Sequence, residues 1–202
     1  MSQQFTTEVQ KLMQRYGETL PKFGADGVWG DESEQAFRRL LAGGAKRPAN
    51  TIQPDPQLVE QLKIDEGLRL SAYPDPLSGG DPWTIGYGHT GPEVKRGLTW
   101  TREKAEAVLI EDILEHNAQL AEALPWVGGL DPVRRRVLQN MAFNLGIGNA
   151  ATGKGLLGFK NTLEFVRTGQ YDKAADGMLA SKWARQVGDR AVRLAKQMRT
   201  GQ

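Results

Sequence analysis

The sequence predicts a mainly helical protein of the α+β class, built as a small helical module, a linker and a larger helical domain with one small antiparallel sheet. Three observations predict it. Apolar residues recur at helical spacing through residues 99–145 and again from 161 to 199. Residues 69–97 instead gather aromatic and β-branched side chains between Pro74, Pro76, Gly79, Gly80 and Pro82, the pattern of short strands with irregular turns. Residues 43–56 open with two glycines, carry three prolines and resist helix and sheet alike.

Composition narrows the class further. A chain of 202 residues holds one medium domain, or one medium and one very small one. A hydrophobic share of 39% and a charged share of 25% are those of an ordinary soluble protein. The net charge of +2 excludes a general polycation. Basic residues do crowd the end of the chain, where Lys182, Arg185, Arg190, Arg193, Lys196 and Arg199 face Asp189 alone. Without cysteine there can be no disulfide and no thiolate zinc site, and two histidines, His89 and His116, argue against a histidine-rich metal centre. The start, Met1-Ser2-Gln3-Gln4-Phe5, lacks a basic region followed by an apolar run, and no stretch is apolar enough to span a bilayer. The expectation is a protein made in the cytoplasm without a signal peptide, with no cofactor and no metal.

In chain order, Val9, Leu12, Met13 and Tyr16 fall at helical spacing. Residues 24–30, Gly-Ala-Asp-Gly-Val-Trp-Gly, form a turn-rich loop. Asp31 or Ser33 then has the chemistry to cap a helix over residues 34–41, with Ala36, Phe37, Leu40 and Leu41 on its apolar side. On periodicity alone this is a helical hairpin in which Trp29 is core. The boundaries are residues 1–42 for the module, 43–56 for the linker and 57–202 for the larger domain.

Leu58, Val59 and Leu62 share one face of a first helix over residues 57–66, and Gly67 stops it. After the strand region, Thr99 or Thr101 can cap a long helix reaching about Ala123, with Ala105, Val108, Leu109, Ile113, Leu120 and Leu124 in period. Asp131 is an N-cap and Pro132 fits the first helical position of Pro132–Leu145, which is apolar on several sides and reads as the central buried helix. Five glycines between 146 and 158 mark a long loop. Helices follow over residues 161–168, 171–179 and 189–199. The last is amphipathic, burying Ala191, Leu194, Ala195 and Met198 and showing Arg193, Lys196 and Arg199 to solvent. Trp126 and Trp183 read as core, and His116 as solvated or half-buried.

The chemistry concentrates in residues 62–89. Hydrolysis of a sugar bond needs a proton donor for the leaving oxygen and a second group for the charged transition state or the attacking water. Glu66 suits the first role, because it ends an apolar helix where partial desolvation favours the protonated acid. Asp75, among prolines and small polar residues, suits the second, and the Thr84 hydroxyl can orient a water. Taken singly, a glutamate at a helix end or an aspartate beside prolines is usually a surface residue or a cap.

The combination is more specific. Glu66, Asp75 and the run Trp83-Thr84-Ile85-Gly86-Tyr87-Gly88-His89 resemble the Glu–Asp–Thr signature of phage-type lysozymes, the muramidases of glycoside hydrolase family 24. Leu62-Lys63-Ile64-Asp65-Glu66-Gly67-Leu68-Arg69-Leu70 resembles the first helix of the T-even branch of that family. Further likeness at Leu130-Asp131, Tyr171-Asp172, Ser181-Lys182-Trp183 and Arg199-Thr200-Gly201 extends the resemblance over residues 57–201. It implies a lysozyme-like fold, Glu66 as general acid, Asp75 and Thr84 on the water, and His89, Asn144 and Arg190 in binding or supporting roles, Arg190 by pairing with the glutamate. The turn at residues 76–82 is longer than the family's, which makes Asp81 a rival to Asp75. Separately, Asp26, Gly27, Trp29 and Gly30, followed by Ser33, Ala36 and Phe37, resemble the three-helix peptidoglycan-binding domain of cell-wall hydrolases, with Leu12-Met13 where that family has Leu-Gln.

The expectation is a modular endolysin that hydrolyses the β-1,4 bond between N-acetylmuramic acid and N-acetylglucosamine. It would be a monomer that acts on periplasmic peptidoglycan after a separate holin-type partner releases it, with no stable membrane insertion. The basic last helix reads first as a solvated face, with steering towards an anionic wall as the second reading. Alternatives are a lytic transglycosylase on the same bond and an inactive wall-binding protein. Nucleic-acid binding is disfavoured, since the first 50 residues hold six acidic against seven basic side chains.

Overall fold

The computed structural model describes residues 54–74 and 80–202 and, ahead of them, Thr6, Gln10, Val28, Gly30, Asp31, Ser33, Glu34, Gln35 and Arg38. The chain forms two compact units, Met1–Thr51 and Ile52–Gln202.

In the first unit, Gln10 is helical and buried. Its Nε2 donates to the Val28 carbonyl and to Ser33 Oγ, each at 2.8 Å, so one amide ties a helical residue to the loop and to the residues after it. Ser33 therefore does not cap the following helix. It is buried within helical residues, and the Glu34 N–H bonds the Gly30 carbonyl at 3.0 Å, which puts the helix start ahead of both Asp31 and Ser33. Asp26, Gly27 and Trp29 lie outside the described residues.

The second unit is mostly helical with one three-stranded antiparallel sheet, in the order β1-β2-β3. Helix α1, Pro56–Glu66, starts where the Asp55 carboxylate accepts from the Leu58 N–H at 2.9 Å, and it ends at Gly67, whose φ of +67° only glycine adopts easily. Strands β1 (Arg69–Pro74), β2 (Trp83–Gly86) and β3 (His89–Thr90) follow, with Tyr73 and Thr90 both paired to Thr84. Helix α2, Arg102–Ala123, is capped by Thr101. Helix α3, Pro132–Leu145, is capped by Asp131, whose carboxylate accepts from the Arg134 N–H at 3.0 Å.

Helices α4 (Lys160–Arg167), α5 (Tyr171–Ala180), α6 (Lys182–Val187) and α7 (Asp189–Thr200) complete the unit. Short α6 and a 3₁₀ turn at Pro125–Gly129 do not show in the sequence pattern. A six-residue helix offers less than two turns of periodicity, and it stands here because Ser181 caps it and Gly188 ends it.

Two apolar clusters hold this unit. Leu58, Leu62, Tyr87, Ala105, Leu109 and Ile113 form one, between α1, the sheet side and the first half of α2. The larger one surrounds α3, where Val137, Leu138 and Met141 are fully buried and Trp183, Leu194 and Met198 pack on them. Trp126 packs half-buried against this core. Helix α2 runs through both clusters. The glycine-rich segment after α3 is a folded corner and not an open loop. Asn149 bridges Lys154, Leu156 N–H bonds the Gly146 carbonyl at 2.9 Å, and Gly155 packs against the Gly148 backbone where any Cβ would clash. Among the described residues no helix is long and apolar enough to cross a membrane.

Candidate active site

Glu66 is the last residue of α1, and its side chain is 18% exposed. The residues that fix it come from α3 and α7. Arg190, buried near the start of α7, donates from Nη1 to Glu66 Oε1 at 2.7 Å. Its Nε donates to Asn140 Oδ1 at 2.9 Å and its other Nη to the Asn140 carbonyl at 3.3 Å. Asn140 is itself fully buried on α3, so the guanidinium is locked in place by the central helix.

Asp65, one residue before Glu66, joins the same network. Its side chain is 4% exposed and takes two 2.7 Å bonds from Arg193, one of 3.0 Å from Asn140 Nδ2 and a 3.3 Å contact with Arg190 Nε. A buried carboxylate is tolerated only when paired in this way. The side chain of Arg193 stays 37% exposed, so the solvent face that its helical phase predicts is kept in part while its guanidinium turns to Asp65. Its phase lies beside the buried stripe, and Asp65 draws it inwards. Lys196 is exposed as expected, and so is Arg199, which bonds Asp172 and Asp176 on α5.

On the sheet side, Glu66 Oε2 faces the β2–β3 turn. A Cβ built on Gly88 would lie 3.7 Å from that oxygen, an ordinary contact, so the turn takes glycine for its φ of +89° and not for space. Among the described residues Oε2 has no hydrogen-bond partner, whereas Oε1 is engaged by Arg190. Thr84 sits half-buried in the middle of the sheet, two residues before Gly86. Pro74, the last residue of β1, pairs with Trp83, and Asp75 lies outside the described residues. Asp81 is exposed at the entry to β2.

His89 follows Gly88 and is held between two carboxylates. Its Nδ1 lies 2.9 and 3.0 Å from the two Asp112 oxygens, and its Nε2 lies 2.8 Å from Glu93 Oε1. With both ring nitrogens on acceptors, the ring is the doubly protonated cation. The Asp112 hydrogen bond is the main cause of a pKa raised to about 9; burial opposes it and Glu93 adds to it. Burial pushes the Glu93 carboxyl up, but hydrogen bonds from His89 and from its own backbone N–H outweigh this and hold it below its ordinary value. His89 thus ties the strand hairpin to α2 and to the segment that follows β3.

Asn144 lies exposed on the last turn of α3, and its Oδ1 accepts from Trp183 Nε1 at 2.8 Å. Trp183 is core, as the sequence implies, with one polar atom spent on orienting Asn144. His116 is half-buried, donates from Nδ1 to the Asp112 carbonyl at 2.7 Å and packs on Phe143.

The structure thus joins Glu66 to Arg190 and to the hairpin containing Thr84 and His89. Sequence reasoning assigned no role to Asp65, Asn140, Asp112 or Glu93. Asp65 was visible beside Glu66, but nothing in a linear pattern marks its partners 75 and 128 residues away.

Comparison with known proteins agrees with this architecture. The family model for phage lysozyme matches residues 63–199. The pre-baseplate central spike protein Gp5 of Enterobacteria phage T4 is 28% identical over 183 residues, covering 77% of this chain and 30% of that protein. The endolysin of Bacillus phage B103 is 30% identical over 131 residues, covering 64% of this chain and 45% of that one. The probable T4-type lysozyme 1 of Dictyostelium discoideum is 25% identical over 170 residues, covering 70% and 93% respectively. The chain spans less than half the length of the first two relatives. With a fold of helices around one small sheet, and a family match over more than half its length, this chain belongs to the phage lysozyme family.

Proposed function

We propose that the protein is a muramidase-type endolysin that hydrolyses the β-1,4 bond between N-acetylmuramic acid and N-acetylglucosamine. One observation carries this reading: Arg190 holds Oε1 of Glu66 and leaves Oε2 towards the Gly88 turn, on the side of the hairpin that contains Thr84. A carboxyl group fixed through one oxygen can present its proton from the other in a single direction, which general acid catalysis needs. Glu66 protonates the leaving glycosidic oxygen. Asp75 supports the charge that develops on the sugar, and Thr84 holds the attacking water. Asp81 ranks below Asp75, which stands where the resemblance assigns the second carboxylate.

The first unit serves as a wall-binding module through the loop with Asp26, Gly27, Trp29 and Gly30. The enzyme reaches periplasmic peptidoglycan after release by a separate holin-type partner, and acts as a monomer. The names of the relatives support this reading, since one is an endolysin of a Bacillus phage and others are endolysins of enterobacterial phages.

Mass spectrometry of digested, purified peptidoglycan tests it. Reducing muramic acid ends are expected. Anhydro-muramic ends would identify a transglycosylase instead, and an absence of new ends would leave a wall binder.

A further inference from the structure

The turn that Glu66 Oε2 faces has little stiffness of its own. Gly86 and Gly88 both stand at positive φ, +67° and +89°, and a glycine backbone is held in place mainly by its neighbours. One neighbour, Tyr87, is anchored by burial in the cluster with Leu58, Leu62 and Leu109. The other is His89.

Two carboxylates engage His89 from different elements. Asp112 on α2 holds Nδ1, and Glu93, in the segment after β3, holds Nε2 at 2.8 Å. The Trp100 ring lies 5.5 Å from the imidazole and also backs Gly86, where a Cβ would come within 3.0 Å of the indole. Asp112 alone leaves the imidazole able to pivot about its Nδ1 contact. A second acceptor at the far nitrogen fixes the direction of the ring. Glu93 reaches that nitrogen from a tight turn in which the Val94 N–H bonds the Gly91 carbonyl at 3.0 Å. Its carboxylate folds back over Gly91, and a Cβ at Gly91 would collide with it. Gly91 is not among the glycines at positive φ, so it is the space, and not the backbone conformation, that Glu93 needs there.

We propose that Glu93 is a positioning residue for the reaction: by closing the second side of the His89 ring, it sets where the Gly86–Gly88 turn stands against the free oxygen of Glu66. It acts through His89. The proposal rests on Glu66 as proton donor and goes beyond that reading, because it makes the acid's alignment depend on a side chain outside the Glu–Asp–Thr set.

The test combines steady-state kinetics of the full chain on purified peptidoglycan, counting reducing and anhydro ends alike, with amide NMR. Glu93→Ala removes a side chain that is 56% exposed, a change the fold is expected to tolerate. Its kcat is expected to fall about five- to tenfold with KM within about twofold of the parent, and its Gly88 amide resonance to shift. Glu93→Gln still accepts from the Nε2–H and is expected to recover most of the loss. Gly91→Ala keeps Glu93 in the chain but displaces its carboxylate, and is expected to reproduce the Glu93→Ala values of kcat and of the Gly88 shift. A kcat within about twofold of the parent in Glu93→Ala, a loss confined to KM, or an unmoved Gly88 amide overturns the proposal. So does a Glu93→Gln variant as slow as Glu93→Ala, since the second hydrogen bond would then not be what counts. If the parent itself releases no ends, the muramidase reading falls, and the Gly88 amide alone decides whether Glu93 fixes the turn.

Discussion

Arg190 and Glu66 lie 124 residues apart in sequence and meet at 2.7 Å, with the guanidinium pinned from behind by Asn140. The pair is one end of a chain of bonds that also includes Asp65 and Arg193. Replacing Arg190 with Leu leaves Glu66 without its cation and Asp65 with one guanidinium in place of two. The expected cost is about 3 kcal/mol, as for other buried pairs broken from one side. It would appear as a lower urea midpoint at unchanged slope. A loss below about 1 kcal/mol, the level of a surface pair, would show that the network is not what holds α1 to α3 and α7.

Glu66→Gln keeps the shape of the side chain and a hydrogen-bonding oxygen for Arg190, but provides no acid. Release of reducing ends from purified peptidoglycan is expected to fall by at least about 10³-fold, with sedimentation onto intact walls retained. Activity within about tenfold of the parent would remove Glu66 from the proton-donor role.

The His89 pair predicts a pH dependence with a definite sign. The folded pKa of about 9 lies above the ordinary value of 6.5, so the stabilisation is complete below about pH 6.5 and is lost as pH rises through 9. Glu93 works in the opposite sense. Its lowered pKa gives a contribution present above the ordinary carboxylate range and lost in acid. Urea midpoints of the parent and of His89→Gln should therefore differ most between the ordinary carboxylate range and about pH 6.5, and converge as pH rises from 6.5 to about 9. A constant gap across that range would mean that the ring acts by packing alone, for instance against Trp100 at 5.5 Å.

Asp131 closes two helix ends with one carboxylate. One oxygen caps α3, and the other takes a 2.8 Å bond from Arg134, whose Nε donates to the Met198 carbonyl in the last turn of α7. Asp131→Ala is expected to cost about 1 kcal/mol for the cap, with more if Arg134 loses its orientation over the Tyr171 ring. Thermal unfolding with Asp131→Asn as a control separates the two, because Asn retains the cap and removes the charge.

Residues 52–202 alone are expected to cleave purified peptidoglycan at close to the full-chain rate and to bind walls more weakly. Equal wall binding by the two forms would count against a binding role for the first unit.

The sequence shows best where a local rule decides the structure. Thr101 and Asp131 each stand where a hydroxyl or carboxylate caps a helix, whereas Asp55, read as linker, caps α1 unannounced. The helical phases of α2 and α3 foretell their buried faces, and Gly67 stops α1 where a glycine should. The site shows in part for the same reason, since Glu66, Thr84 and His89 lie within one continuous motif. Long-range pairing is what the sequence hides. Arg193 reads as solvated by phase and is drawn onto Asp65, and Ser33 reads as a cap and is buried against Gln10. Glu93 lies four residues after His89 in an irregular turn, where no periodicity points one side chain at another.

Asp55 has a mechanical consequence. One carboxylate oxygen caps α1, while the other takes a 2.9 Å bond from the buried Arg136 of α3. Chain entering from residues before Pro54 is thus clamped to the central helix eleven residues before Glu66. A pull arriving through the preceding chain is carried by Asp55 and Arg136 into α3. Like the strain relief on a cable, this leaves the far end of α1, and the carboxyl group it aims, without load.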